Sequence, residues 1–306
     1  MVANSVNLVL DARNGTGESP VWLAAEQALY WVDIPARQLC RWDAASGLTR
    51  QWTAPEMLAC IAPHSAGGWV AGLESGLFHL TPHADGRLDV RALAPVTHAR
   101  SGMRFNDGRC DRQGRFVAGT MLMNMAEGAH VGCVYSYGMD SKLRLLQDGL
   151  IVPNGLAFSP DGRTMYLSDS HPAVQTIWAY DYDTATGTPH NRRVFVDMTP
   201  LPGRPDGAAM DQDGCYWICG NDAGLVHRFT PAGRLDRSLA VPVKKPAMCA
   251  FGGPGLDVLY VTSIRPGDID LSDQPLAGGV FALNPGTRGL PEPGFQAPLA
   301  APMPAR

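Results

Sequence analysis

The feature that most constrains the fold is a tight turn that recurs six times along the 306 residues, at intervals of about 40 to 50 residues. Four copies are clear, Ala66–Ala71, Arg112–Ala118, Pro160–Leu167 and Gln212–Ile218, and the other two are Glu26–Val32 and Pro254–Val261. Each turn is followed by an apolar run and then by a second short strand, as in Thr176–Tyr182. One four-stranded β-propeller blade per repeat has this length and pattern. We therefore predict an all-β fold, a six-bladed β-propeller with four antiparallel strands per blade.

The alternative is a generic β-sandwich, which also has alternating strands but does not predict the same turn in the same phase six times. The 34 glycines and 25 prolines are scattered through the chain, as expected for many short strands. No Pro/Ser-rich linker divides the sequence, so we predict one domain over residues 1–306. The Pro- and Ala-rich tail from about residue 290 to 306 is expected to be loosely ordered and to carry no chemistry.

Composition and charge exclude several classes of function. The formal net charge is −4 and no basic run occurs, which argues against a nucleic-acid partner. Met1–Asp11 lacks the features of a signal peptide, and no stretch approaches the roughly 20 apolar residues that span a bilayer. Seven cysteines are expected to be reduced thiols in a cytoplasmic protein, with Cys215 and Cys219 buried in a strand. The oligomeric state is left open.

Polar side chains recur at a fixed distance before the turns. Counting back eight residues leads from Gly114 to Asn106, from Gly162 to Asn154, from Gly214 to Asp206, and from the turn position Glu26 to Glu18. The same count from Gly68 and Gly255 leads to Cys60 and Ala247. This position begins the innermost strand of each blade, so residues roughly 50 positions apart in sequence are expected to converge on the propeller axis.

Two carboxylates and two amides at one point need compensation for their charge and desolvation. A divalent cation supplies it, and oxygen ligands suit hard ions such as Ca²⁺, Mg²⁺ or Mn²⁺. Taken singly, Asn154-Gly155 and Asp206-Gly207 are typical turn dipeptides. The common phase of four such residues favours a metal site.

Several motifs together resemble the gluconolactonase/regucalcin (senescence marker protein) family. They are Gly17–Trp22 (GESPVW), Arg104–Gly108 (RFNDG), Ala118–Met121 (AGTM), Pro153–Ala157 (PNGLA), Pro205–Gly207 (PDG) and Cys249–Gly253 (CAFGG). They follow the family's order from about residue 15 to 285. The resemblance implies a six-bladed propeller that hydrolyses an aldonolactone.

The resemblance also implies roles for individual residues. One divalent metal ion is expected to be held by Glu18, Asn154 and Asp206. Ca²⁺ is the first choice, with Zn²⁺, Mg²⁺, Mn²⁺ and Fe²⁺ as alternatives. Residues matching Arg104 and Asn106 contact the hydroxyls and ring oxygen of the substrate. Animal members carry a further acidic substrate contact, and by simple count Asn124 takes its place here, which keeps hydrogen bonding but loses the charge.

These residues support a mechanism in which Asp206 is both metal ligand and general base, and the metal polarises the lactone carbonyl. Arg104 would supply fixed positive charge and a forked donor. Asp107 is either a support for the site or a turn aspartate, and Trp22 and Trp217 either wall the site or pack in the blades. The alternative function is a calcium-binding or scaffolding propeller without catalysis.

Overall fold

The computed structural model describes residues 6–267 and 269–296. In chain order the strands are β1 (Val6–Leu10), β2 (Gly17–Leu23), β3 (Ala28–Asp33), β4 (Gln38–Asp43), β5 (Thr49–Thr53), β6 (Cys60–Pro63), β7 (Trp69–Gly72), β8 (Gly76–Pro82), β9 (Leu88–Pro95), β10 (Met103–Cys110), β11 (Phe116–Leu122), β12 (Gly132–Tyr137), β13 (Leu143–Leu150), β14 (Pro153–Phe158), β15 (Thr164–Asp169), β16 (Thr176–Asp183), β17 (Thr188–Asp197), β18 (Arg204–Met210), β19 (Tyr216–Asn221), β20 (Leu225–Phe229), β21 (Leu235–Ala240), β22 (Pro246–Gly252), β23 (Val258–Ser263) and β24 (Val280–Leu283). The one helical element in these ranges is a 3-10 turn at Met125–Glu127.

The strands form six four-stranded antiparallel sheets, which confirms the predicted six-bladed propeller. Blades 1 to 5 are β2-β3-β4-β5, β6-β7-β8-β9, β10-β11-β12-β13, β14-β15-β16-β17 and β18-β19-β20-β21. Blade 6 has the order β22-β23-β24-β1, so its outer strand comes from the beginning of the chain. Val6 of β1 lies opposite Leu283 of β24, and this pairing closes the ring.

The core lies between neighbouring blades. The inner strand β22 is buried at every position, whereas the outer strand β17 is exposed over most of its length. Aromatic pairs join successive blades: the ring centroids of Tyr30 and Trp69 are 4.6 Å apart, and those of Tyr166 and Tyr216 are 5.1 Å apart. Because each sheet buries its faces against the next, the blades stabilise one another rather than folding as separate units.

The recurrent turn has a conformational basis. Gly114, Gly162 and Gly214 have φ values of 82°, 72° and 75°, in the left-handed region that a residue without Cβ adopts at no steric cost. In the first repeat Gln27 takes this conformation, with φ of 48°. The turn is therefore retained in the repeat that lacks the glycine, one residue later than the predicted position at Glu26.

A buried aspartate supports the turn of blade 5. Oδ1 of Asp211 accepts a hydrogen bond from the backbone N–H of Cys215 at 2.9 Å. Its Oδ2 accepts from Nε1 of Trp217 at 2.9 Å and from Nε of Arg228 at 2.8 Å. The Asp211 side chain is fully buried, so one carboxylate holds the turn, an aromatic core residue and a buried cation together.

Residues 290–296 correct the expectation of a loosely ordered tail. Phe295 is 1% exposed, and its backbone is hydrogen-bonded to the second blade. Glu292 accepts a hydrogen bond from Nη1 of Arg109 at 2.9 Å, and both side chains are largely buried. This part of the tail packs because the ring of Phe295 is buried against the second blade and the carboxylate of Glu292 pairs with Arg109. The rest of the predicted tail, residues 297–306, lies outside the described residues.

We expect Glu292→Gln to lower the free energy of unfolding by about 1–3 kcal/mol, because it removes the charge that pairs with the buried guanidinium of Arg109. The measurement is the urea midpoint at constant m-value. The matched control is Glu127→Gln, since Glu127 pairs with Arg100 at 2.8 Å where both side chains are exposed. The control should lose about 1 kcal/mol or less. Equal losses would show that the tail contact adds nothing.

All seven cysteines lie in the described ranges, and none is in a disulfide. Cys215 and Cys219 are buried thiols, as predicted. The described residues include no helix with the length and apolar character needed to cross a membrane.

Candidate metal and substrate site

A cavity of about 380 Å³ opens at the end of the propeller where the inner strands begin. This volume falls in the range of roughly 300–1,000 Å³ that is typical of small-molecule sites. Its lining combines polar residues with an apolar wall that includes Met57, Met121, Met123 and Met125. A larger and more open depression of about 650 Å³ lies near Asp257 and Arg288 on the outer strands. It contains one carboxylate, so the smaller cavity is the better candidate for chemistry.

Four of the phased residues meet at this cavity, namely Glu18, Asn106, Asn154 and Asp206. The cavity is also lined by Arg104, as the substrate prediction requires. Cys60 and Ala247 of the remaining two blades are buried but do not line it. Residues from blades 1, 3, 4 and 5 thus converge although they are far apart in the sequence.

The four residues do not occupy the same position in the strand pairing of their blades, so the count of eight residues before the turn is only approximate. Each of the four inner strands has a register irregularity where two residues face one on the partner strand. Glu18 and Asn154 are the last paired residues before it, while Asn106 and Asp206 are the first residues within it. A β-bulge bends the strand and redirects a side chain. Residues one position out of phase therefore reach the same cavity.

A continuous hydrogen-bonded chain connects the polar residues of blades 3, 4 and 5. Nη1 of Arg104 donates to Oδ1 of Asn106 at 2.9 Å. Nδ2 of Asn106 donates to Oδ1 of Asn154 at 2.9 Å, and Nδ2 of Asn154 donates to Oδ1 of Asp206 at 2.9 Å. The chain fixes the orientation of each amide and aligns the three blades at the cavity floor.

Two further residues hold the end of this chain. Nδ2 of Asn221 donates to Oδ2 of Asp206 at 2.5 Å, and Nδ2 of Asn154 donates to Oγ of Ser170 at 2.5 Å. Both oxygens of Asp206 therefore accept a side-chain hydrogen bond. A carboxylate has about four acceptor sites, so Asp206 retains free lone pairs.

The carboxylates of the cavity lack sufficient compensation in the protein alone. Burial raises the pKa of Glu18 well above its usual value, and the negative charges of Asp206 and Asp107 raise it further. Burial also raises the pKa of Asp206 to about 7, although Arg204 and the hydrogen bond from Asn221 oppose the shift. A cation stabilises two such carboxyl groups, because it compensates the desolvation that opposes their ionisation.

The donor set fits a hard divalent cation. Glu18 accepts one hydrogen bond, from the backbone N–H of Ser19 at 3.2 Å, and its other lone pairs have no partner in the described part of the chain. Oδ1 of Asn154 has a second lone pair, and Oδ1 of Asn221 is buried without a partner among the described residues. The described residues contain no cluster of three or more His, Cys, Asp or Glu side chains arranged for a metal. Any ion here would depend on the amide oxygens as well as the two carboxylates.

Aspartates at the ends of second strands position the ligand strands. Asp33 accepts hydrogen bonds from the backbone N–H groups of Gly15 and Thr16 at 3.0 Å each, just before β2. Asp169 accepts from the N–H groups of Ile151 and Val152 at 2.8 and 3.1 Å, just before β14. The loops that lead into the strands carrying Glu18 and Asn154 are therefore held at low mobility.

The contacts of Asp107, Trp22 and Trp217 decide between the two interpretations that the sequence left open for each of them. Oδ2 of Asp107 accepts from the backbone N–H of Leu156 at 2.7 Å, so Asp107 supports the strand that carries Asn154 rather than a turn. Trp22 stacks on Tyr260 at 5.5 Å, and Trp217 is fully buried. Both tryptophans are packing residues and do not line the cavity.

Asn124 is not brought to the cavity. Its Nδ2 donates to Oε1 of Glu127 at 2.9 Å, and the residue is exposed. The cause is the 3-10 turn at Met125–Glu127, which directs the side chain of Asn124 along the surface while Met123 and Met125 face the opening. The substrate contact proposed for Asn124 stays a prediction that this placement does not support.

Sequence reasoning missed five polar residues that line the cavity, Thr16, Ser170, Arg204, Asn221 and Lys245. Asn221 ends the second strand of blade 5 and lies opposite Arg204, which begins the inner strand. The available signal was the polar residues at the ends of second strands, Asp169-Ser170 and Asn221-Asp222.

Comparison with known proteins shows one consistent relationship. Residues 16–265 match the family described as SMP-30/Gluconolactonase/LRE-like region. A 6-deoxy-6-sulfogluconolactonase from Pseudomonas putida is 39% identical over 281 residues, which are 91% of this chain and 94% of the relative. Regucalcin from Sus scrofa is 34% identical over 299 residues, 95% of this chain and 98% of the relative. A solved structure from Agrobacterium tumefaciens, described as a calcium-binding protein, regucalcin, matches with a TM-score of 0.88 at 28% identity, covering 96% of this chain and 98% of that one.

Proposed function

The chain belongs to the SMP-30/gluconolactonase/LRE-like family, and we propose that it hydrolyses a sugar lactone to the aldonic acid with the help of one divalent metal ion. The observation that carries the proposal is the hydrogen-bonded chain from Arg104 to Asp206, which ends in a cavity of substrate size that the partly buried carboxyl group of Glu18 also lines. The Pseudomonas putida relative, named as a sugar lactonase, supports the same substrate class.

The metal would be held by Glu18, Asn154 and Asp206, whose oxygens retain lone pairs toward the cavity. When bound, the ion would supply Lewis-acid stabilisation of the negative charge that develops on the lactone carbonyl oxygen. We favour Ca²⁺, because the solved relative is described as calcium-binding and because carboxylate and amide oxygens suit that ion.

Asp206 is proposed as the general base. Asn154 and Asn221 fix the orientation of its carboxylate through hydrogen bonds to both oxygens. It takes a proton from the water that attacks the carbonyl carbon, and the bond from the new oxygen to this carbon forms. The ring C–O bond then breaks, and the proton returns to the departing ring oxygen. Atoms and charge balance as lactone plus water gives hydroxy acid.

Arg104 is proposed to bind the substrate. Its Nη1 is used by Asn106 and by the carbonyl oxygen of Phe105, at 2.9 and 2.7 Å. Its Nε and Nη2 make no hydrogen bond with the described residues, so they remain for hydroxyl and carbonyl oxygens of the sugar. Both hydrogens of the Asn106 amide are already used, on Asn154 and the carbonyl oxygen of Pro153. Asn106 would therefore meet the substrate through the free lone pair of its Oδ1.

The proposal predicts metal-dependent turnover. Acid release from D-glucono-, D-galactono-, D-xylono- and L-arabinono-lactone is measured with and without chelator, after subtraction of spontaneous hydrolysis. The enzymatic rate on at least one lactone should fall at least about tenfold with chelator and return when the ion is added back. A protein that binds Ca²⁺ in titration calorimetry but accelerates no lactone would instead be a calcium-binding or scaffolding propeller.

A further inference from the structure

Between blades 5 and 6 the cavity has a cationic corner that the proposed reaction does not use. We define the corner as Arg204, Lys245 and Asp222. Arg204 and Lys245 line the cavity, and their side chains are 19% and 28% exposed. Asp222 forms an ion pair with each of them. One carboxylate is thus shared by two cations.

The corner retains binding capacity. Nε of Arg204 donates to Asp222 at 2.6 Å and its Nη1 donates to the carbonyl oxygen of Ser170 at 3.1 Å. Its Nη2 has no hydrogen-bond partner in residues 6–267 and 269–296. Nζ of Lys245 donates to Asp222 alone, which leaves two of its hydrogens free. Since Asp222 can neutralise only one of the two cations, the corner keeps about one unit of positive charge beside a partly desolvated cavity.

The distance between the corner and Asp206 determines which part of a bound substrate the corner can contact. Arg204 begins β18 and Asp206 lies two residues along the same strand. At about 3.3 Å per residue, the two Cα atoms are roughly 6–7 Å apart along the strand, with Arg204 nearer the opening. The oxygens of an anionic group attached to the last carbon of a six-carbon lactone reach a comparable distance from its carbonyl carbon. A substrate that reacts at Asp206 would therefore place its far end at the corner.

The remaining lining around the opening makes the positive charge of Arg204 and Lys245 the main attraction for an anionic group. Around the opening the lining is apolar, with Met57, Met123, Met125 and Ile264 among its residues. An anion cannot be stabilised there, while Arg204 and Lys245 offer charge-assisted hydrogen bonds on one side only. We propose that Arg204 and Lys245 bind an anionic substituent at the end of the sugar substrate remote from its lactone carbonyl. This inference rests on the proposed function for the identity of the sugar.

Binding of open-chain sugar acids tests the corner without requiring turnover. Titration calorimetry on the metal-loaded protein compares D-gluconate with 6-phospho-D-gluconate, 6-deoxy-6-sulfo-D-gluconate and D-glucarate, which add a phosphate, a sulfonate or a carboxylate at the far end. At least one of them should bind about tenfold more tightly than D-gluconate, as expected for a hydrogen-bonded charge pair. The acid whose affinity exceeds that of D-gluconate by the largest factor identifies the anionic group.

Variants assign the effect to the corner. Arg204→Gln and Lys245→Gln should each reduce the ratio several-fold, and the ratio should narrow as salt rises. Arg100→Gln is the control, because Arg100 pairs with Glu127 near the opening but does not line the cavity, and it should leave the ratio unchanged. With the corresponding lactones, the anionic group should lower KM more than it changes kcat.

The outcomes separate the two proposals. The anion-binding role of the corner is overturned if the unaltered protein binds the anionic acids no more tightly than D-gluconate. It is also overturned if Arg204→Gln and Lys245→Gln leave the preference unchanged. Both conclusions hold even if lactones are hydrolysed. If the protein prefers the anionic acids and both variants reduce this preference, the anion-binding role of the corner is supported. This holds even if no lactone is turned over, in which case only the proposed reaction fails.

Discussion

Asp206→Asn is expected to lower lactone turnover by about 10²- to 10⁴-fold while the propeller stays folded. The change removes the proposed base and one carboxylate of the proposed metal set but preserves the shape of the side chain. Because burial raises the pKa of Asp206 to about 7, the free energy of unfolding of the metal-free protein falls as the pH rises from the ordinary aspartate pKa, and the cost is complete above about pH 7. A neutral amide removes this cost, so thermal unfolding of the metal-free variant should not occur at a lower temperature.

The new amide group can also be accommodated. Asn154 and Asn221 both donate to Asp206, so an amide nitrogen there would face one donor. Oδ1 of Asn221 is buried with no partner among the described residues, and rotation of that amide would offer it as an acceptor. The fold is therefore expected to tolerate the substitution.

Asp111→Asn is the control for this prediction, since Asp111 is buried, undergoes the same chemical change and does not line the cavity. Asp111 holds the blade 3 turn through the backbone N–H of Arg115, so the variant should lose stability and retain most of kcat. The measurement is kcat on the best lactone, with circular dichroism to verify the fold. Full activity of Asp206→Asn would remove Asp206 as the base.

Asp211→Ala is expected to lower the free energy of unfolding by about 3–5 kcal/mol. Its carboxylate is fully buried and holds Arg228, Trp217 and the backbone of the blade 5 turn. Without it, a guanidinium whose side chain is 8% exposed loses its most buried partner and an indole N–H loses its acceptor. Total stabilities are about 5–15 kcal/mol, so the loss would shift the urea midpoint strongly.

Asp183→Ala is the matched control. Asp183 also holds a turn, through the backbone N–H of Ala185 at 2.8 Å, but it lies exposed on the outer side of blade 4. We expect a loss of about 1 kcal/mol. If Asp211→Ala does not fold, Asp211→Asn keeps an acceptor for the turn and should show an intermediate loss. Similar small losses for Asp211→Ala and Asp183→Ala would mean that burial of Asp211 adds no stability.

The architecture and the convergence of Glu18, Asn106, Asn154 and Asp206 were predictable because a repeat constrains the positions of all its copies at once. A turn residue in the left-handed conformation marks each blade, and the inner strand starts at a near-constant distance before it. The one-residue shift between Glu18 and Asn106 was not predictable, since bulges change register without a distinctive residue type.

The parts that sequence reasoning missed lie outside the positions counted before each turn. Lys245 enters the cavity from the loop before β22. Asn221 lies seven residues after Gly214, as Asp169 lies seven residues after Gly162, and it was missed because only positions before the turn were counted. Asn124 does not line the cavity because it precedes a short 3-10 turn, which a simple residue count does not anticipate. The packed tail was missed because Phe295 is a single aromatic residue in a Pro-rich segment whose partners come from distant blades.

Ring closure by β1 has a consequence for how the protein is made. Of the described strands, β1 is synthesised first and its partner β24 last, and Val6 meets Leu283 across all the strands between them. Pairing over such a separation requires closure of a very long loop, which slows folding compared with the hairpins inside each blade. The first five blades can form as the chain leaves the ribosome, but the first strand must wait. Sealing of the ring therefore has to follow the synthesis of all six blades, and until it occurs the nascent protein exposes two strand edges.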